Sequence, residues 1–318
     1  MLNIADLSSG QTTEALYLIS ERSVRSHRNK PGQYLQLTLQ DRTGTVKAMY
    51  WDVPKNVIDE VQTGAVYKVS GRVESYMDSV QVRVTGIARP TEEIDWGQFL
   101  PESKRSAEEL TADFDAFIPT LKDPHYRELV QGLRNHPQMW PRYLVSPAAT
   151  VIHHSYLRGL IEHSLNMCWL CDKLAEQYSE VNRSLLITGA IFHDIGKMYE
   201  YDSGPTFQRT TYGELIGHIA IGDNLVVKMA QEIDGMPKEK VWQIRHLILS
   251  HHGQMEWGAP VLPKSLEGFL LHYADNIDAK VSTFRLAADK TSEGEDWTER
   301  VFSLDHRRLY IPQDNTGS

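Results

Sequence analysis

Only two cysteines occur in 318 residues, too few for a disulfide framework, so stability has to come from packed cores. Cys168 and Cys171 form a C-x-x-C within the helical apolar run 165–174, and no second pair completes a zinc site. They are expected to be core thiols. No stretch reaches 18 apolar residues, so no membrane-spanning helix is expected. The first residues lack a basic start followed by an apolar segment. The expectation is a soluble, cytoplasmic protein with no membrane partner. Internal repeats and low-complexity segments are also missing.

Excess positive charge is lacking as well, and the net charge of −9 taken alone speaks against a nucleic-acid binder. The charge is unevenly placed, however. Residues 1–90 hold 11 Lys and Arg against 9 Asp and Glu, and the other 228 hold 22 against 33. The first part is therefore able to face a polyanion, while the second is free to hold metal ligands. The length suggests about two domains, and 41% hydrophobic residues suffice for ordinary globular cores.

The first third contains five short β-rich runs: 14–20, 33–40, 45–51, 65–74 and 79–88. Turn chemistry separates them, with Asp41-Arg42-Thr43-Gly44 reading as a tight hairpin connection. Residues 53–61 read as a short helix between the third and fourth strands. Alternation places Leu35, Leu37 and Leu39 on one face and Tyr34, Gln36 and Thr38 on the other, so Tyr34 is a better candidate for exposure than Trp51. Tyr34, Tyr50, Trp51, Tyr67 and Tyr76 offer rings for base stacking. Among the cations able to follow phosphates are Arg28, Lys30, Lys47 and Arg72.

Residues 91–147 read as a helical connector, with helices over 108–134 broken at Pro119 and Pro124. From Ala148 the chain reads almost wholly helical, with helices over 157–176, 183–192, 215–233, 238–249 and 266–286. An all-α bundle over 148–290 is expected. Residues 291–318 read as a mobile tail.

Chemistry gathers on this second part. His163, His193-Asp194, His218, His251-His252 and Asp275 each lie on or beside an apolar helical run. Taken singly, a histidine on such a helix is more often packed or exposed than a ligand, but the ordered set is hard to explain as packing. Neutral imidazole and carboxylate together suit Mn, Fe, Co, Ni or Zn. Adjacent helical residues point about 100° apart, so a metal reaches both His193 and Asp194 only near a bend. Gly196 fits such a break. With two oxygens and a central place in the set, Asp194 is the natural bridge between two metals.

The set resembles the HD-domain metal-dependent phosphohydrolases, whose pattern is His…His-Asp…Asp with further histidines in two-metal members. The resemblance implies one ion on His163, His193, Asp194 and Asp275. It places a second on Asp194, His218 and one or both of His251 and His252. Lys197, three residues beyond Asp194, is then placed to neutralise phosphate charge or to protonate a leaving oxygen. His154 and Arg158 are candidate phosphate contacts, and Glu162 is placed to orient a ligand. Residues 33–46 are similar to the second strand, hairpin and third strand of nucleic-acid-binding OB-folds, which implies a five-stranded barrel over residues 1–90. The fold class expected is multidomain α+β: an N-terminal five-stranded OB-fold barrel, then an all-α HD-domain bundle.

This layout resembles the YhaM-type 3′→5′ exoribonucleases from about residue 12 to 290. The stretches that carry it are 33–46, 153–165, His193–Lys197, Gly217–Ile219, Leu249–Gly253 and Tyr273–Lys280. It implies divalent-metal hydrolysis, with Mn²⁺ first and Fe, Co or Ni as alternatives. The implied partners are single-stranded RNA or DNA, and homo-oligomers are compatible with the family. The competing expectation is an HD-domain nucleotide or cyclic-nucleotide phosphohydrolase with a regulatory barrel. A third is a binding protein whose HD site is degenerate, which the apparently complete ligand set opposes.

Overall fold

Leu35, Leu37 and Leu39 point inward and are essentially fully buried, as their alternation requires. They belong to β2 (Gln33–Asp41), which lies between β1 (Thr12–Ser26) and β3 (Gly44–Tyr50). A short helix α1 (Lys55–Glu60) follows, then β4 (Val66–Tyr76) and β5 (Ser79–Ala88). The strands close into a barrel in the order β1-β2-β3-β5-β4. Every pairing is antiparallel except β3 with β5. This is the five-stranded OB-fold, with its helix after the third strand. The computed structural model describes residues 3–312 except 28, 77–78, 92–93, 101, 150–155, 203–207 and 293.

Three barrel details differ from the sequence expectation. β1 spans 15 residues, more than twice the run expected, because a bulge between Ile19 and Glu21 carries pairing on to Ser26. Thr38 is buried although it faces outward. Its hydroxyl donates to Glu21 at 2.7 Å and accepts from Lys47 at 2.9 Å, so two cross-strand side chains cover it. Tyr50 and Tyr67 prove to be core residues and offer no face for stacking. Tyr67 hands its hydroxyl to the Glu60 carbonyl at 2.8 Å, which satisfies its polar end.

The helical part comprises α2 (Ala107–Phe117), α3 (Pro124–Asn135), α4 (Met139–Val145), α5 (Gly159–Gln177), α6 (Arg183–Phe192) and α7 (Lys197–Glu200). It continues with α8 (Thr211–Ile216), α9 (His218–Gln231), α10 (Lys238–Ser250) and α11 (Leu266–Asp289). Helix starts follow sequence chemistry: Ser106 and Glu109 form a reciprocal capping box, and Asp123 caps α3 ahead of Pro124. Nearly every residue of α6 is buried, the mark of a central helix packed on all sides. Cys168 and Cys171 are free, buried thiols.

The chain divides into two compact units. Residues expected as a connector fall into both. Phe99 and Leu100 lie in the first unit, whereas Leu110, Phe114, Tyr126 and Tyr143 share one apolar core with α5 and α6. Residues 297–310 pair through isolated bridges, Trp297 with Tyr310 and Val301 with Arg307. Among the described residues no helix is long and apolar enough to cross a membrane.

Two glycines shape the helical unit. The single helix expected over 215–233 is broken at Gly217, whose φ of 75° ends α8 and starts α9 with His218 as its first residue. Gly196 serves differently from the expectation, since its backbone is ordinary right-handed helix. What requires glycine there is space: a Cβ would stand 1.9 Å from the His218 carbonyl oxygen. Gly196→Ala should therefore cost roughly 1–3 kcal/mol through overpacking and displace His218. Urea denaturation measures this; a loss under about 0.5 kcal/mol, the ordinary surface scatter, would show that the crossing yields easily.

Candidate metal centre and nucleic-acid interface

Five helix ends and faces bring the expected ligands together. His163 comes from α5, His193 and Asp194 from the turn after α6, and His218 from the start of α9. His251 and His252 follow α10, and Asp275 lies on α11. His163 Nε2 lies 3.1 Å from His193 Nε2 and 3.3 Å from Asp275 Oδ1. Asp194 stands at the centre. Its Oδ2 is 3.7 Å from His163 Nε2 and 3.4 Å from His193 Nε2. Its Oδ1 is 3.6 Å from both His218 Nε2 and His251 Nε2. One carboxylate thus turns one oxygen to each half of the cluster.

The opposite nitrogen of each ring is occupied. His193, His251 and His252 donate Nδ1–H to the carbonyls of Ala190, Ile248 and Trp257 at 2.9, 2.7 and 2.7 Å. His163 Nδ1 meets Asp278 Oδ2 at 2.7 Å, and His218 Nδ1 lies obliquely 2.9 Å from Glu200 Oε2. For the four hydrogen-bonded rings, those of His163, His193, His251 and His252, fixing Nδ1 in this way sets the tautomer and aims Nε2, which is how proteins hold metal-binding imidazoles.

The donor set fits a divalent cation. Asp194 Oδ1 and His218 Nε2 are buried and have no hydrogen-bond partner among the described residues. An orphaned carboxylate oxygen facing an orphaned imidazole nitrogen is costly unless a third party satisfies both. Candidate donor atoms of His163, His193 and Asp194 lie within 4.8 Å of one another, as do those of His218, His251 and His252. Two ligands at right angles on one ion, each about 2.1 Å away, are about 3 Å apart, close to the His163–His193 spacing.

Charge is distributed unequally across the cluster. Burial by itself lowers the His163 pKa, yet Asp275 and Asp278 more than offset this and raise it to about 10. Burial also opposes charge on Asp194 and Asp275. Lys197 and His193 nevertheless hold Asp194, and His163 holds Asp275, below the usual carboxylate range. Burial pushes His251 down, and burial together with His251 brings His252 to about 4. Lys197 reaches Asp194 Oδ2 at 2.6 Å; burial favours its neutral amine, but Asp194 overrides that and raises its pKa.

Asp278 and Glu200 went unnoticed in the sequence. Both are second-rank carboxylates that steer a histidine, and only the three-residue step from Asp275 to Asp278 on one helix face pointed to either. Asn166 in turn donates to Asp278 Oδ1 at 3.1 Å. Asp278→Asn should weaken metal binding about 10- to 100-fold, measured by competition with a chromogenic chelator. Unchanged affinity would remove Asp278 from the site.

Arg158 is half-buried at the left-handed residue before α5, and Glu162 accepts the Tyr156 hydroxyl at 2.9 Å. His154 lies outside the described residues. His246 accepts the Lys264 N–H at 2.9 Å.

On the barrel, Tyr34 and Trp51 are both half-buried, so Tyr34 is not the more exposed class of the two. Their ring centroids are 4.5 Å apart, and His27 joins them at 5.2 Å from Tyr34. A cavity of about 330 Å³ beside Trp51 and His27 also takes in Lys30 and Lys55. Lys30 and Lys47 are not lone cations: they pair with Asp52 at 2.8 Å and Glu21 at 2.9 Å. Lys47 shares the outer face of β2 and β3 with Tyr34, opposite Thr38. Arg72 is exposed on β4, between Thr12 and Arg83, away from that face. Arg28 lies outside the described residues.

Comparison with known proteins agrees with this architecture. Residues 160–280 match the HD domain family, and residues 22–88 match the OB-fold nucleic acid binding domain family. The chain therefore pairs an OB-fold nucleic-acid-binding domain with an HD domain, the domain of metal-dependent phosphohydrolases. Among solved structures it is similar to the second OB-fold domain of replication protein A from Methanococcus maripaludis. That match has 21% identity and a TM-score of 0.24, over 29% of this chain and 97% of the other.

Proposed function

We propose that this protein is a metal-dependent phosphodiesterase that shortens single-stranded RNA from its 3′ end, with single-stranded DNA as the alternative strand. The observation that carries the reading is a pairing within one chain. Four imidazole Nε2 atoms surround the two oxygens of Asp194, and an OB barrel presents the His27, Tyr34 and Trp51 rings. The 3′-to-5′ direction is that of the YhaM-type enzymes the sequence resembles.

His163, His193, Asp194 and Asp275 would hold one ion, and Asp194, His218, His251 and His252 a second. Divalent ions there, with Mn²⁺ first and Fe, Co or Ni as alternatives, supply water activation and charge neutralisation for phosphodiester hydrolysis. The carbonyls of Ala190, Ile248 and Trp257 keep three imidazoles from rotating away. Of the two roles open to Lys197, the electrostatic one is favoured. Its raised pKa makes it a poor proton donor near neutral pH, since general acids work best near the working pH. Its fixed positive charge suits an anionic substrate.

The barrel would take the strand by stacking on Tyr34 and Trp51. Lys30 and Lys47 would exchange Asp52 and Glu21 for phosphates, at small cost because exposed ion pairs are weak. Arg28 and Arg72 are proposed to contribute along the strand, and His154 and Arg158 to contact phosphate near the metal site.

A time course on 5′-labelled single-stranded RNA with Mn²⁺, beside an Asp194→Ala control, tests the proposal. The expected result is a ladder shortening from the 3′ end that the variant does not produce. Cleavage that survives in a nuclease-free Asp194→Ala preparation would overturn it. No cleavage with metal bound would favour a small-nucleotide phosphohydrolase instead.

A further inference from the structure

Trp257 is a large aromatic residue left 50% exposed on a loop that has little freedom. The loop leaves α10 through Gly253, which has a φ of 76° and whose amide bonds to the Ser250 carbonyl at 2.8 Å. A Cβ on Gly253 would stand 2.2 Å from the His272 ring, so the backbone lies flat against that imidazole. The His272 ring is itself fixed, with Nδ1 2.9 Å from the His251 carbonyl. The loop then makes one turn of tight helix, Met255–Trp257, closed by Gly258 N–H to the Met255 carbonyl at 2.9 Å.

An exposed ring on a braced backbone is where a ligand-stacking surface differs from a chance surface aromatic. Its position strengthens the point. Trp257, His272 and Asn276 line a cavity of about 170 Å³ together with His252 and Asp275, two residues of the candidate metal centre. The Trp257 carbonyl also fixes His252 Nδ1 at 2.7 Å, so the ring and the ligand are held by one residue. The cavity is well below the roughly 300 Å³ at which pockets enclose drug-sized ligands. It suits one ring system lying beside a phosphate.

We propose that Trp257 forms the floor of a nucleobase subsite, on which the base of the nucleotide being hydrolysed stacks while its phosphate lies at the His and Asp cluster. Asn276, with one amide acceptor and two donors, faces the same space and is suited to meet a base edge. Stacking tolerates any base, so this subsite grips every nucleotide and imposes little sequence preference. The inference rests on the cluster being the phosphate site, but not on the substrate being a long strand.

Binding of adenosine 5′-monophosphate and of ribose 5-phosphate to the intact chain with Mn²⁺, followed by calorimetry, tests it. The wild-type protein should prefer the base-bearing ligand roughly tenfold. Trp257→Ala keeps the backbone carbonyl that holds His252, so it should retain Mn²⁺ yet bind the two ligands within about twofold. Trp257→Phe should keep most of the preference. An undiminished preference in Trp257→Ala, no preference in the wild type, or loss of Mn²⁺ from Trp257→Ala would each overturn the subsite. A protein that cuts no strand but shows the preference would lose the exonuclease reading alone. One that cuts strands without the preference would lose only the subsite.

Discussion

Asp194→Ala is expected to reduce strand hydrolysis on the order of 10³-fold or more, the scale on which single preorganised electrostatic groups act. The effect should exceed that of any single histidine because of where the two oxygens point. Oδ2 faces His163 and His193, and Oδ1 faces His218 and His251. Removing the carboxylate therefore dismantles both candidate ion sites, and elemental analysis should show both ions lost. Alanine does a second thing. Lys197 is 9% exposed with its ammonium on Asp194, and leaving a buried charge unpaired typically costs about 3–5 kcal/mol. Asp194→Asn separates the two effects, because it keeps the shape and an acceptor oxygen for Lys197. It should fold better than the alanine variant while remaining as inactive. An asparagine variant with its full metal content and a rate within about tenfold of wild type would rule out Asp194 as the bridge.

Much of this arrangement was legible in the sequence, and the parts that were not share physical reasons. The barrel announced itself through Leu35, Leu37 and Leu39, since period-two burial leaves little alternative. The length of β1 did not. Beyond its bulge the strand carries Glu21, Arg22 and Arg25, which resemble loop composition although they are paired edge to edge with β2. The candidate ligand types and their order were readable, because few other roles place His-Asp and His-His beside apolar helices. Their supporting carboxylates were not. Glu200 and Asp278 occur at spacings common to any helix surface, and only folding brings them to His218 and His163. The bend beside His193 and Asp194 is expected from Gly196, whereas the need for glycine there is the passage of α9 overhead, which no local pattern encodes. Trp257 and His272 were invisible for the same reason: their significance is a shared cavity.

Metal affinity on the His163 side should rise about tenfold per pH unit through the neutral range, below the value of about 10 to which His163 is raised. In the metal-free chain burial opposes charge on His163, but Asp275 at 3.3 Å and Asp278 at 2.7 Å stabilise the imidazolium. A cation needs the neutral Nε2, so each ion bound on this side expels one proton. The sign follows directly: raising the pH removes the competitor and strengthens binding, with the slope fading as pH passes through the folded pKa. The other half of the cluster behaves differently. His252 is brought to about 4 and His251 is lowered as well, by burial in both cases, so near neutral pH neither has a proton to release. The two ions should therefore fill unequally, with the His251 and His252 side loaded first at low pH and the His163 side joining as pH rises. Calorimetry in buffers of different protonation heat, at pH values of about 6, 7 and 8, would show close to one proton released for the second ion. Affinity independent of pH, with no proton release, would mean that His163 does not bind metal through Nε2. Asp278→Asn adds a separate handle, because Asp278 aims His163 and also stabilises its proton. The variant should bind metal more weakly overall, yet lose its pH slope at a lower pH than the wild type. A carboxylate that merely filled space would produce the first change without the second.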